Sequence, residues 1–354
     1  MAIKFLVSCG GTGGHIFPGK ALAKEIETLN ENFKTVFGGR KVGMEKDILA
    51  EEEYRGIDAY PLKRGSIVQN LFLPFKLLSS YFQAKAVVKR EAPKFLLTTG
   101  GYVTLPFLFA ARSLNVPVYI QEQNEYAGVA NKIGGRWAKA VFPPSDQCKK
   151  YFPSSECFAL GNPVREIHPE SLALPEEYKG YKNVILVVGG SQGAKGVNQK
   201  VSDWVKAGHL DEDTLLFWQT GKWEYDALNS EFGQLSNVIT TVFINDIYAY
   251  IKNSSFVISR AGASTIAELT VLGKAALFIP FPYAAENHQE ANARELEKSN
   301  AALVELESEN EFAQKIEKLK NKELRESMQK ASLALGKPNA TKDIARKILK
   351  LEGF

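Results

Sequence analysis

One short pattern occurs twice in this chain, half the sequence apart. Leu6-Val7-Ser8-Cys9-Gly10-Gly11-Thr12-Gly13-Gly14 is matched by Leu186-Val187-Val188-Gly189-Gly190-Ser191-Gln192-Gly193. In both places an apolar run closes on glycines and a helical stretch follows. An apolar run bounded by glycine reads as a buried strand. Strand, glycine loop and helix together open a parallel α/β domain. The repeat therefore predicts two similar domains, which suits a chain of 354 residues better than one large core. A helix is expected over 18–29, and further strands over 35–37, 95–98, 116–120 and 140–142. The second series runs over 184–188, 215–218, 238–242, 256–258 and 275–279. A proline-bearing stretch with few apolar residues, about 160–175, marks the linker. It sets the domains at 1–162 and 163–340, with a last helix in 341–354 packing back on the first.

Several function classes are disfavoured early. With 45% hydrophobic and 24% charged residues the chain is globular in composition. No apolar stretch is long enough to cross a bilayer, and the apolar run at 3–7 meets Gly10-Gly11 too soon for a signal-peptide core. The expectation is a cytoplasmic protein. Cys9, Cys148 and Cys157 are too irregular for a disulfide framework, and His15, His168, His209 and His288 are scattered. No metal site and no cofactor are expected; Asp211-Glu212-Asp213 reads as a solvated loop. A net charge of +4 is too diffuse for nucleic acid, yet suits an anionic substrate or an anionic membrane surface.

A glycine loop between strand and helix turns backbone N–H groups toward an anion, and the helix dipole adds attraction. Two such loops suggest a ligand in a cleft between the domains; glycines that only make tight turns are the simpler alternative. A dinucleotide fold would need Gly-x-Gly-x-x-Gly and a later ribose carboxylate. Here Gly11-Thr12-Gly13-Gly14-His15-Ile16 lacks the last glycine, and Gly38-Gly39-Arg40-Lys41 supplies no acid. A phosphate-binding P-loop fails too, because Ala194-Lys195-Gly196 lacks its final glycine and its Ser/Thr.

Further motifs follow in order. They are Thr99-Gly100-Gly101-Tyr102-Val103, Glu122-Gln123-Asn124 with Asn131, Gly161-Asn162-Pro163-Val164-Arg165, and Ser259-Arg260-Ala261-Gly262-Ala263-Ser264-Thr265-Ile266-Ala267-Glu268. Pro280-Phe281-Pro282-Tyr283 with His288-Gln289 and Asn292 completes the set. Together with the two glycine loops, this series resembles the MurG family of glycosyltransferases. The resemblance implies a GT-B fold, an α/β architecture of two Rossmann-like domains facing each other across a cleft. It implies inverting transfer of GlcNAc from UDP-GlcNAc to the C4 hydroxyl of MurNAc-pentapeptide-pyrophosphoryl-undecaprenol. The donor would sit mainly in the C-terminal domain and the polyprenyl-pyrophosphate acceptor in the N-terminal one. The expected place is the cytoplasmic face of the plasma membrane, peripherally bound, with other cell-wall synthesis proteins as possible partners. A UDP-sugar transferase for another lipid and a non-catalytic nucleotide-sugar module are the rival readings. The sequence departs from the family pattern at Gln121, where many members carry His, and at His288, where members often carry Gln.

The resemblance also implies roles. Glu268 would hold the ribose hydroxyls; read alone, it is a carboxylate near a helix start, favoured by the dipole. Ile244 would meet uracil through its backbone, or else be a core residue. Gln289 would contact the sugar, and Ala263, Ser264, Thr265, Ile266 and Ala267 the nucleotide. Ser191 and Gln192 on the second loop, with Arg165, would take the charge of departing UDP. Thr12, Gly13 and Gly14 would approach the acceptor diphosphate or the donor. Asn124 and Asn131 are sugar-binding or loop-fixing amides. His15 is the leading candidate for general base, since histidine as a type titrates near neutrality; contact with phosphate is its alternative. Glu122 and Tyr102 are the other catalytic candidates.

The segment 67–90 contains no Asp or Glu, and Lys76, Lys85, Lys89 and Arg90 are basic. Leu77, Tyr81, Ala84 and Val88 recur at helical spacing and should face the core. Leu71, Phe75, Leu78 and Phe82 form a second stripe, expected to be exposed and to meet an anionic membrane; burial on both faces is the alternative.

Overall fold

A computed structural model describes residues 2–61, 73–164, 172–189, 193–284 and 287–354. The chain forms two compact units, Met1–Arg165 with Asn339–Phe354, and Glu166–Pro338. The first holds strands β1 (Ile3–Cys9), β2 (Phe33–Arg40), β3 (Tyr54–Ile57), β4 (Leu96–Gly100), β5 (Val118–Gln121) and β6 (Ala140–Phe142). The second holds β7 (Asn183–Val188), β8 (Thr214–Gln219), β9 (Val238–Thr241), β10 (Phe256–Ser259), β11 (Ala276–Phe278) and β12 (Ala302–Val304). The six-stranded sheets run β3-β2-β1-β4-β5-β6 and β12-β11-β10-β7-β8-β9. Neighbouring strands are parallel throughout, as in β1 with β2 and β7 with β8. Counted from its own first strand, each sheet follows the same path. The strand order reverses between β1 and β4, and between β7 and β10. In open α/β sheets ligands bind at such reversals, beyond the carboxyl ends of the strands.

The first strand of each unit is apolar on both faces because helices cover both. Phe5, Val7 and Cys9 pack with Leu22 and Ile26 of α1 (Gly13–Leu29) and with Ile344 and Ile348 of the last helix, Ala340–Leu351. Leu6 points the other way, toward Ala84 and Val88 of α2 (Leu73–Glu91) and Phe107. In the second unit Ile185 and Val187 meet Val197 and Val201 of α3 (Lys195–Lys206). Leu186 and Val188 meet Tyr248 of α4 (Ile247–Asn253), Leu269 of α5 (Ala263–Val271) and Leu296 of α6 (His288–Lys298).

Three local features differ from the sequence reading. α1 begins at Gly13, directly on the glycine loop, so Pro18 lies inside the helix. β3 and β12 were not anticipated; both are short edge strands, and only Ile57 of β3 is buried. Among the described residues no helix is long and apolar enough to cross a membrane. On α2, Ala84 and Val88 are buried, whereas Phe75, Leu78 and Phe82 are 73%, 53% and 59% exposed. Leu71, of the same outer stripe, lies outside the described residues.

Candidate functional site

Each unit gathers polar residues at its strand-order reversal. In the first, α1 starts without a side-chain cap from Thr12 and with no acidic residue in its first turn. Its end keeps the positive partial charge of unmatched N–H groups, with Thr12, Gly13 and Gly14 at that end. His15 is the third residue of the helix, within its first turn. Its Nδ1 is 2.9 Å from Thr99 O and 3.0 Å from Gln123 Oε1. The Gln123 amide is oriented by its other end, where Nε2 donates to Thr99 O at 2.8 Å and to Gln121 O at 3.3 Å. Both partners of Nδ1 are therefore acceptors. The ring proton must lie on Nδ1, and Nε2 keeps its lone pair. Thr99 Oγ1 closes the clamp by donating to His15 O at 2.7 Å. Gly100 and Gly101 wrap this ring at φ of +97° and +91°. A Cβ on Gly101 would stand 2.3 Å from Gly10 O, and one on Gly100 3.3 Å from the imidazole. Only glycine fits both the conformation and the space.

Glu122 is 1% exposed. Its Oε1 accepts from Asn124 N at 2.9 Å and Asn124 Nδ2 at 3.2 Å. Its Oε2 accepts from Gly128 N at 3.0 Å and from Asn131 Nδ2 at 2.9 Å. Four donors occupy the carboxylate and tie the loop after β5 to the helix Val129–Gly134. The buried Gln121 donates to Glu122 O at 2.9 Å and to Asn162 Oδ1 at 3.1 Å, and Asn162 Nδ2 returns to Gln123 O at 2.8 Å. Tyr102 lies against the glycine loop, with the Arg40 guanidinium 5.6 Å from its ring centre. Burial holds the phenol above its usual range despite the opposing pull of Arg40. Arg40 is itself fixed by Glu45, at 2.7 Å and 3.1 Å. Burial pushes the Glu45 carboxyl up, but its hydrogen bonds and the Arg40 charge outweigh that and hold it below the ordinary range.

In the second unit α5 also starts uncapped, on Gly262, with no acidic residue in its first turn. Ala263, Ser264, Thr265 and Ile266 form that turn; Ala267 and Glu268 follow. The buried Ser264 Oγ has no hydrogen-bond partner. Glu268 Oε1 accepts from Tyr248 OH at 2.8 Å. Ile244 is buried, and its N–H donates to Gln219 Oε1 at 3.0 Å, so its carbonyl is the backbone group left for a ligand. Gln289 Oε1 accepts from Phe281 N at 3.0 Å, which leaves the amide NH2 as its donor end. Arg260 donates to the carbonyls of Ile279 and Pro280, both at 3.0 Å, and pairs with Glu307 at 2.6 Å. Asn292 Nδ2 donates to Ala261 O at 3.4 Å and links α6 to the same loop.

The first unit thus brings together Thr12, Gly13, Gly14, His15, Tyr102, Glu122, Asn124 and Asn131. In the second, Tyr248 packs in the apolar cluster that holds Ile244 and reaches Glu268 through its hydroxyl. Arg165, Ser191 and Gln192 lie outside the described residues. Sequence reasoning passed over Gln123 and Arg260 as site residues, though both stand inside its motifs. It missed Tyr248 entirely, since that residue belongs to no motif.

Residues 5–143 match the glycosyltransferase family 28 N-terminal domain, and residues 184–348 the family 28 C-terminal domain. A relative from Caldicellulosiruptor saccharolyticus is 39% identical over 97% of this chain and 96% of its own. One from Myxococcus xanthus is 34% identical over 97% of this chain and 91% of its own. Both are named UDP-N-acetylglucosamine–N-acetylmuramyl-(pentapeptide) pyrophosphoryl-undecaprenol N-acetylglucosamine transferase. Among solved structures, that of Acinetobacter baumannii MurG superposes with a TM-score of 0.79 at 29% identity, covering 99% of this chain and 100% of that one. A UDP-bound Staphylococcus aureus MnaA shares the fold, with a TM-score of 0.72 at 16% identity, over 99% of this chain and 97% of that one.

Proposed function

This chain belongs to glycosyltransferase family 28, and from that premise we propose that it transfers GlcNAc from UDP-GlcNAc to N-acetylmuramyl-(pentapeptide) pyrophosphoryl-undecaprenol. The carrying observation is the match of 39% identity along 97% of the chain to a relative of that name. The chain is a hexosyltransferase of peptidoglycan synthesis with the two Rossmann-like domains of the GT-B fold.

The geometry supports the following division of labour. The first unit takes the acceptor and the second the donor. The acceptor C4 oxygen attacks the anomeric carbon as His15 Nε2 removes the hydroxyl proton. The bond from that carbon to the UDP oxygen breaks, and UDP leaves with the electron pair; the new linkage is inverted. The two acceptors on Nδ1–H hold the ring in the required tautomer and stabilise the imidazolium that forms. Glu122, already accepting four hydrogen bonds, is assigned a positioning role rather than the base role left open by the sequence. Tyr102, kept protonated, hydrogen-bonds the acceptor, and Asn124 and Asn131 serve as loop-fixing amides. Thr12, Gly13 and Gly14 at the α1 end receive the acceptor pyrophosphate. At α5 the free N–H groups with Ser264 and Thr265 receive the UDP diphosphate, while Ala263, Ile266 and Ala267 shape that turn. Glu268 takes the ribose hydroxyls, the Ile244 carbonyl takes uracil, and the Gln289 NH2 takes the sugar. Ser191, Gln192 and Arg165 keep their assignment to the leaving diphosphate on the strength of their motifs. No protein-held metal and no cofactor enter this scheme.

The enzyme works at the cytoplasmic face of the membrane, docking through the outer stripe of α2 without spanning the bilayer. Phe75, Leu78 and Phe82 would enter the interface, with Lys76 and Lys89 beside anionic headgroups. Labelled UDP-GlcNAc with a short-chain acceptor analogue tests the activity through release of UDP and formation of the disaccharide lipid. Transfer to diacylglycerol in place of that analogue would instead favour a different lipid acceptor.

A further inference from the structure

The ribose-binding carboxylate is held before any ligand arrives. Tyr248 is 7% exposed, and its ring is packed in the apolar cluster that contains Ile244 and Leu269. Its hydroxyl reaches Glu268 Oε1 at 2.8 Å. A tyrosine has two side-chain torsions, and packing fixes both. A glutamate on a helix has three, and left alone it samples several rotamers. The helix that carries Tyr248 is anchored at both ends. On its N-terminal side, Ile244 N donates to Gln219 Oε1 at 3.0 Å. At its C-terminal end, Lys274 Nζ donates to the carbonyls of Lys252 and Ser254, each at 2.7 Å. The phenol is therefore a fixed donor aimed at the Glu268 carboxylate.

We propose that Tyr248 is a positioning residue that presets the Glu268 carboxylate and so sets selectivity for the ribose hydroxyls of the nucleoside diphosphate. The proposal rests on the ribose role given to Glu268 above. A carboxylate offers about four lone-pair directions. One is used by the phenol, and a pair of vicinal ribose hydroxyls would take two others on the same group. With the rotamer already selected, ligand binding does not have to order it. The same position serves UDP and UDP-GlcNAc, because both carry the uridine ribose. Tyr248 touches neither sugar nor phosphate in this scheme, so it governs affinity and not the chemical step.

The test compares UDP with 2′,3′-dideoxy-UDP by isothermal titration on wild type, Tyr248→Phe, Glu268→Ala and the double variant. Wild type should prefer UDP, and Glu268→Ala should abolish that preference. Tyr248→Phe should weaken UDP binding about 3- to 10-fold, below the loss of a full hydrogen bond to a charged group, and leave the dideoxy analogue within about 2-fold. In the Glu268→Ala background Tyr248→Phe should have no further effect on UDP. In turnover, KM for UDP-GlcNAc should rise while kcat holds. If Glu268→Ala keeps the wild-type preference, the ribose reading itself falls. If Glu268→Ala loses it while Tyr248→Phe retains it in full, Tyr248 has no positioning role and the ribose reading stands. Equal loss of both ligands in Tyr248→Phe, or loss in the Glu268→Ala background, means a general structural effect and also overturns the proposal.

Discussion

Replacing Glu122 by glutamine separates a carboxylate that builds the site from one that performs chemistry in it. Each carboxylate oxygen accepts two donors, Asn124 N and Nδ2 on one side, Gly128 N and Asn131 Nδ2 on the other. An amide can accept at only one end, so two donors must face its NH2. The Gly128–Asn131 side is the less costly to lose. Asn131 Oδ1 has no partner, so turning that amide over offers the new NH2 an acceptor. Gly128 N–H then remains opposed, and the charge assistance on the other bonds is gone. One orphaned backbone donor plus weakened bonds to Asn124 comes to about 2–3 kcal/mol. At roughly 2–4 °C per kcal/mol for a domain of this size, the transition of the first unit should fall by about 4–12 °C. Glu122→Ala, which leaves all four donors without the carboxylate, should lose about twice as much. Catalysis should respond little to Glu122→Gln at a temperature where the variant is folded, with kcat down by about 10-fold or less. Removal of a general base would lower it by about 10² to 10⁴. Differential scanning calorimetry beside steady-state transfer reads both. An unchanged transition with kcat reduced more than about 10³-fold would refute the reasoning and make Glu122 the base.

Other outcomes follow from the same geometry. His15→Ala should lower kcat about 10²-fold or more while UDP affinity by titration stays within about 2-fold; near wild-type kcat would remove His15 as base. A Phe75→Ser/Phe82→Ser variant should bind anionic liposomes more weakly than wild type in co-sedimentation, and wild-type binding should fall with salt. Glu91 is buried, which raises its carboxyl, but Lys4, Arg55 and Arg90 hydrogen-bond it and bring it down to about 2. A depressed folded pKa adds stability that is present above the unfolded value near 4.5 and is lost as pH falls toward 2. Discounted for its solvent-facing partners, the effect is about 1–2 kcal/mol, and acid titration of Glu91→Gln should lack that loss. Burial pushes the Cys9 thiol up to about 12, so native-state labelling at pH 8 should modify the half-buried Cys157 well before Cys9.

What was legible in the sequence is what local rules encode. Strands such as Ala140–Phe142 and Asn183–Val188 announce themselves through unbroken apolar runs, because helices cover both faces. β12 escapes such reading because Ala302-Leu303-Val304 runs on into Glu305-Leu306-Glu307 with no proline or glycine to close it, whereas Ala140–Phe142 stops at Pro143-Pro144. β3 escapes it because Tyr54-Arg55-Gly56-Ile57 has little apolar alternation. The glycine loops were visible, and so was the placing of His15 just after one of them. The clamp on His15 was not, because Thr99 and Gln123 lie 84 and 108 residues away. Tyr248 is only 20 residues from Glu268, yet it stands on a different helix, and no periodicity relates the two.

The same distinction explains how Gln121 can occupy a place where the family pattern often has histidine. Gln121 is fully buried at the end of β5, and its Nε2 joins Glu122 O to Asn162 Oδ1. Both contacts ask only for N–H donation into a buried network, which an amide supplies without titrating. His15 meets a different demand. Its two acceptors fix one nitrogen as a donor, and that same constraint leaves the other nitrogen free to take a proton. A glutamine at position 15 could donate to Thr99 O, but its remaining group would be a carbonyl far too weak to serve as a base. The two positions look alike in composition and differ in what their neighbours leave unoccupied. On the proposed reading the chemistry of the first unit falls to the imidazole, whose Nε2 lone pair its neighbours leave uncommitted, while the amides of Gln121 and Gln123 hold the surrounding network in place.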